Sequence, residues 1–179
     1  QDWINYHACL MRIAPRLMAE GRTQALEQWL GTLPPEKIGP SPWLLYWQAS
    51  VRLSHNPAEA RRLLEQAITG FRETNDAQGA RLAWCNIVNS ILRERTDYSS
   101  LQNWISAYAT LPTTPADLSS EQPVTVSMLN AMVLVQPAHP DIDPWSERAL
   151  TLLQSNARAT LRVGAGTYLL MQHALSGEL

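Results

Sequence analysis

Leu26–Leu33 reads LEQWLGTL, and three later stretches repeat its apolar frame. Ala60–Ala67 reads ARRLLEQA, Leu101–Tyr108 reads LQNWISAY and Ala149–Gln154 reads ALTLLQ. Positions i, i+3, i+4 and i+7 lie on one side of an α-helix, so each stretch is an amphipathic helix with a stripe to bury. Each follows a turn signal: Gly21, Asn56, Thr96-Asp97 or Asp143. A second helical pattern precedes each turn. One hairpin of this kind cannot cover its own stripe, but a row of hairpins covers the stripes in succession. The recurrence therefore predicts an all-α fold, an α-α superhelix of stacked helical hairpins.

The spacing narrows the type of array. The anchors Leu26, Ala60, Leu101 and Ala149 are separated by 34, 41 and 48 residues. Thirty-four is the tetratricopeptide period, and the longer steps read as that unit with extended loops. Helices are expected at 2–20, 22–33, 41–54, 57–74, 77–95, 98–110, 120–136, 144–156 and 158–175. They form one repeat domain over 1–179, with hairpins at 2–33, 41–74, 77–110 and 120–156 and an incomplete unit from 158. The fourth hairpin fits least well, because VQPAHPDIDP makes a long turn. Asn56-Pro57 supplies a capping side chain followed by a proline suited to the first turn. Asp97 and Asp143 are expected to cap likewise, and Pro15 to kink the first helix.

Composition excludes several function classes. A net charge of −2 and a pI near 6.1 argue against a nucleic-acid-binding face. Cys9 and Cys85 lie alone in apolar, helix-like surroundings and read as reduced core thiols, which points to a cytoplasmic protein. The longest apolar run, near Met128–Val135, is interrupted by Asn130 and is too short to cross a bilayer. The chain begins without methionine in a helical pattern and reads as a piece of something longer. His7, His55, His139 and His173 have no second ligand at metal spacing. Gly164-Ala165-Gly166 lacks the strand and lysine of a phosphate loop and reads as close helix packing. Glu59 and Glu65 with Arg61, Arg62 and Arg72 read as a solvated face with weak ion pairs. Neither a catalytic set, a cofactor nor a metal is expected.

Glu20–Leu53, EGRTQALEQWLGTLPPEKIGPSPWLLYWQASVRL, and Asn56–Trp84, NPAEARRLLEQAITGFRETNDAQGARLAW, resemble the helical-repeat arm of MalT-like bacterial transcription regulators. In that family a Gly-x-x-x-x-Leu-x-x-Trp-Leu helix, a Leu-Pro link and Pro-Trp-Leu recur. The resemblance implies an arm that senses an inducer or a partner protein, attached elsewhere to a STAND-class ATPase core and a DNA-binding helix-turn-helix. These 179 residues contain no Walker-type Gly-x-x-x-x-Gly-Lys-Ser/Thr.

The tryptophans divide into two groups. Trp29 and Trp104 occupy equivalent places in the frame and are expected in the core between repeats, with Trp84 and Trp145 read the same way. Ser41–Trp47, SPWLLYW, crowds aromatics that 3.6 residues per turn must spread around the helix. Either neighbours sandwich that helix, or Trp43 and Tyr46 look out from the inner wall. In tetratricopeptide arrays the first helix of each pair lines the concave groove. Continuing that face adds Asn86, Ser90 and Arg93, then Thr167 and Met171, as a candidate surface for a peptide or small ligand. The sequence thus predicts a non-enzymatic sensing or interaction arm, with a plain scaffold or dimerisation through the stack ends as the alternative.

Overall fold

The computed structural model describes residues 3–113 and 118–177, and no strand occurs among them. The helices are α1 (Trp3–Ala19), α2 (Thr23–Gly31), α3 (Pro35–Ile38), α4 (Pro42–Arg52) and α5 (Pro57–Glu73). They continue with α6 (Ala77–Glu94), α7 (Ser100–Tyr108), α8 (Leu118–Val135), α9 (Ile142–Gln154) and α10 (Ala159–Ser176). No helix among the described residues is long and apolar enough to cross a membrane.

Local chemistry sets the clearest boundaries. Asn56 accepts the Glu59 amide at 3.2 Å while its own amide donates to the Glu59 carboxylate at 2.9 Å, a reciprocal cap. Pro57 fills the first helical position behind it. Ser41 and Pro42 begin α4 in the same manner. Asp76 caps α6 by accepting the Gly79 amide at 2.8 Å. The α1–α2 turn places Gly21 at φ +71°, where a side chain would be strained.

First helices α1, α4, α6, α8 and α10 alternate with second helices α2, α5, α7 and α9. Each second helix packs against the first helix on either side of it. First helices also meet directly, α4 with α6, α6 with α8 and α8 with α10, whereas second helices meet chiefly through them. The layer with the closer spacing lies inside a curve, so the first helices form the inner wall. The four anchors are the seams of the stack: Leu26, Ala60, Leu101 and Ala149 are all 0 % exposed. The weakest of the hairpins in sequence, α8–α9, is built like the others.

The joint between α4, α5 and α6 is the most closely fitted. The Trp43 indole N–H donates to Asp76 at 2.8 Å, so one carboxylate both caps α6 and ties α4 to it. Phe71 of α5 meets the Trp43 ring edge-on at 5.0 Å. Its other side lies against Gly79, where a Cβ would fall 2.3–2.7 Å from three ring carbons. Glycine there permits a contact that no other residue permits. Farther along, the Trp84 indole is wholly buried and donates to the Trp104 carbonyl at 2.7 Å. The Gly164-Ala165-Gly166 segment does serve packing: Ala165 is buried, and a Cβ on Gly164 would meet Val126 at 2.9 Å.

Several expectations are corrected. Trp29 is 40 % exposed and Trp104 half-buried, so the two do not share a core role. Trp29 belongs to the first hairpin, which no other hairpin among the described residues covers on its outer side. Cys9 is exposed for the same reason, while Cys85 is buried. Asp97 caps no helix; it accepts the Ser99 amide and hydroxyl, each at 2.8 Å, in a local turn before α7. Asp143 lies inside the first turn of α9, which begins at Ile142. A short helix, α3, stands between the helices expected at 22–33 and 41–54. As expected, Pro15 lies inside α1; α8 likewise includes Pro123.

Candidate functional site

The inner wall carries a polar hollow of about 550 Å³. Its lining comes from four successive units: Ser54 and Pro57 at the α4–α5 turn, Asn89, Leu92, Arg93 and Arg95 at the end of α6, Asn130 of α8 and Tyr168 of α10. Why these side chains converge follows from the helical period. On α6, Asn89 and Arg93 stand four residues apart and so share the side of the helix that lines the hollow. Antiparallel stacking then brings the carboxyl ends of the first helices to one edge.

The charges are sorted by that same period. Glu94 turns to the opposite side of α6 and takes both Arg61 guanidinium nitrogens of α5, at 2.9 and 3.2 Å. Arg93 and Arg95 remain on the hollow side, exposed and without a carboxylate in ion-pair range among the described residues. None of the hollow's described lining is acidic. Arg95 holds φ +53°, the left-handed region where a helix-ending glycine is ordinarily favoured. A cation thus occupies a position whose backbone would accept glycine more easily. Asn130 is almost wholly buried, and burial raises the Tyr168 phenol above its ordinary ionisation range while Asn130 pulls it back down.

The residues expected at the site separate. Arg93 lines the hollow. Tyr46 and Ser90 do not reach the surface: Tyr46 lies between Trp43 and Trp47 at ring distances of 5.5 and 4.8 Å, and Ser90 donates to the Ile87 carbonyl. Trp43 is half-buried and spends its N–H on Asp76, so the sandwiched alternative describes this helix. Asn86 donates to Ser50 at 3.1 Å, joining α6 to α4. Thr167 is exposed and bonds its own helix at Val163, and Met171 packs against the core. Extrapolating a face from α4 failed because that face meets α6: Asn86 reaches Ser50 across the joint, and Tyr46 and Ser90 are buried. Arg95, Asn89 and Asn130 were missed. The offset of Asn89 from Arg93 by four residues was the legible sign; Arg95, beyond the helix end, gave none.

The expected solvated face on α5 is also revised, since Arg61 pairs across to α6 and Arg72 donates to Thr110. His139 is only partly exposed, accepting the Asp141 amide at 3.1 Å. Among the described residues, no three His, Cys, Asp or Glu side chains converge so as to hold a metal ion. Compared with protein-family models, curated proteins and solved structures, the chain has no match.

Proposed function

We propose that this chain is a non-enzymatic interaction arm of a larger bacterial signalling or transcription protein, and that its inner wall takes an extended acidic segment of a partner. The observation that carries the reading is the pair Arg93 and Arg95 beside Asn89 and Asn130, with the intervening Glu94 neutralised by Arg61. Guanidinium forks and carboxamides match carboxylates in charge and in hydrogen-bond geometry. The hollow is open and predominantly polar, which suits a chain laid along it better than an enclosed small molecule. The regulator setting rests on the MalT-like resemblance of residues 20–84. Coding sequence flanking this chain that specifies neither an ATPase core, a helix-turn-helix nor another signalling domain would remove that setting.

The site is tested with a hexaglutamate peptide followed by NMR. The side-chain amides of Asn89 and Asn130 are expected to shift, and binding to weaken with salt. The double variant Arg93→Ala, Arg95→Gly should bind at least about tenfold less, the two charge-assisted contacts together being worth more than 1.4 kcal/mol. Glycine at 95 suits the existing backbone, so the fold is preserved. Equal affinity in the double variant refutes the site.

A second reading, self-association through the stack ends, has its own support. Leu150, Val163, Leu170 and Leu175 are exposed on α9 and α10, with Asp143 and Glu147 beside Leu150. The opposite end presents Trp29 among Arg12, Arg16 and Arg22, with Glu20 their acidic neighbour. The Asp143–Glu147 patch beside Leu150 and the arginine patch around Trp29 are opposite in charge, which favours head-to-tail joining of copies. Light scattering should then give a mass that rises with concentration. A constant monomer mass over a hundredfold range excludes it.

A further inference from the structure

A second cavity, of about 620 Å³, opens on the other edge of the array, where the amino ends of α6 and α8 meet the carboxyl ends of α7 and α9. Its construction differs from that of the inner-wall hollow. Tyr108 and Leu152 make part of an apolar wall, and Tyr108 is braced by Trp84 at 5.0 Å and Trp145 at 5.8 Å. The Arg148 guanidinium lies over the Trp145 ring, its central carbon 4.4 Å from the centroid, an attraction that holds the cation beside the cavity. Arg81 approaches from α6. Burial raises the Tyr108 phenol, and Arg81 and Arg148 both pull it back down, so the two cations bear on the same ring.

Neither arginine is within ion-pair range of a carboxylate among the described residues. Glu121 also lines the cavity, leaving it one net positive charge from its described lining. That balance suits a monoanion better than a phosphate carrying two charges. An aromatic wall with a few convergent polar groups, in a volume between roughly 300 and 1,000 Å³, is the form of a small-molecule site.

We propose that this cavity binds a planar aromatic monocarboxylate of one or two fused rings, the ring against the Tyr108–Leu152 wall and the carboxylate on Arg81 and Arg148. The site is independent of the inner-wall hollow, and its occupant would clamp α6, α7 and α9 together. Calorimetry with 2-naphthoate tests it, against uncharged 2-naphthalenemethanol and ring-free acetate. Saturable 2-naphthoate binding is expected, with the other two at least about tenfold weaker. Arg148→Gln and Arg81→Gln should each weaken 2-naphthoate about tenfold or more, while Arg93→Ala leaves it unchanged. Absence of binding at millimolar 2-naphthoate overturns the proposal. So does equal affinity for the alcohol, or binding indifferent to both arginine substitutions.

Discussion

Adding one methyl group at Gly79 and one at Gly31 should move stability in opposite directions. Both residues are helical with ordinary φ, so alanine gains up to about 1 kcal/mol of helix preference at either. At Gly31 a Cβ meets nothing within 4 Å, and that gain stands alone. At Gly79 the Cβ would lie 2.3, 2.5 and 2.7 Å from three carbons of Phe71. Carbon contacts relax at about 3.5–4.0 Å, so the overlap exceeds roughly 1 Å. The ring cannot yield easily, because Phe71 is 1 % exposed and held edge-on by Trp43. Overpacking of this kind costs about 1–3 kcal/mol, and a rigid ring places it near the top of that range. Subtracting the helix gain leaves Gly79→Ala about 2 kcal/mol less stable. For a chain of this size that lowers Tm by about 4–8 °C, whereas Gly31→Ala raises it by about 1–4 °C. Calorimetric melting of both variants measures the difference. In a Phe71→Ala background the added methyl has room, so Gly79→Ala should become neutral or stabilising, a non-additivity that isolates the contact. If Gly79→Ala stabilises the unmodified chain as much as Gly31→Ala does, the account of the α5–α6 joint is wrong.

Asp76→Ala removes the α6 cap, worth about 1 kcal/mol, and the charged acceptor of the Trp43 indole, worth about 1.5–3 kcal/mol. Urea unfolding should show a loss near 3 kcal/mol, with Asp76→Asn milder; a loss under about 1 kcal/mol contradicts the dual role. Burial pushes the Cys85 thiol and the Tyr46 phenol each up to about 12, from 9.0 and 10.0. The unfolded chain releases these protons first, so the stability they contribute is complete below about pH 9 and is lost as pH rises toward 12. Urea midpoints should fall steeply from pH 9 to 11, and thiol labelling at pH 8 should modify Cys9 rapidly and Cys85 only on unfolding. A flat midpoint, or two fast thiols, would contradict the burial of this pair.

The fold was legible because it rests on local repetition. A stripe at three and four residues demands a neighbour, and Leu26, Ala60, Leu101 and Ala149 mark the seams without help from any distant contact. The cap at Asn56 needed only three residues of sequence. Exposure was not legible. Trp29 and Trp104 occupy the same place in the frame, yet Trp29 is exposed and Trp104 packs against the core, because the neighbours among the described residues differ. Tyr46 and Ser90 disappear inside because α4 and α6 touch directly, a fact about the curvature of the array. Which way Glu94 turns, away from Arg93 and Arg95 and toward Arg61, depends on where α5 lies beside α6. Sequence alone therefore determined the helices and their order of stacking, since those follow from periods shorter than a hairpin. The assembly of Arg93 and Arg95 with Asn130, and of Arg81 with Arg148, was decided by tertiary structure, because each joins side chains whose distance depends on how successive hairpins turn against one another.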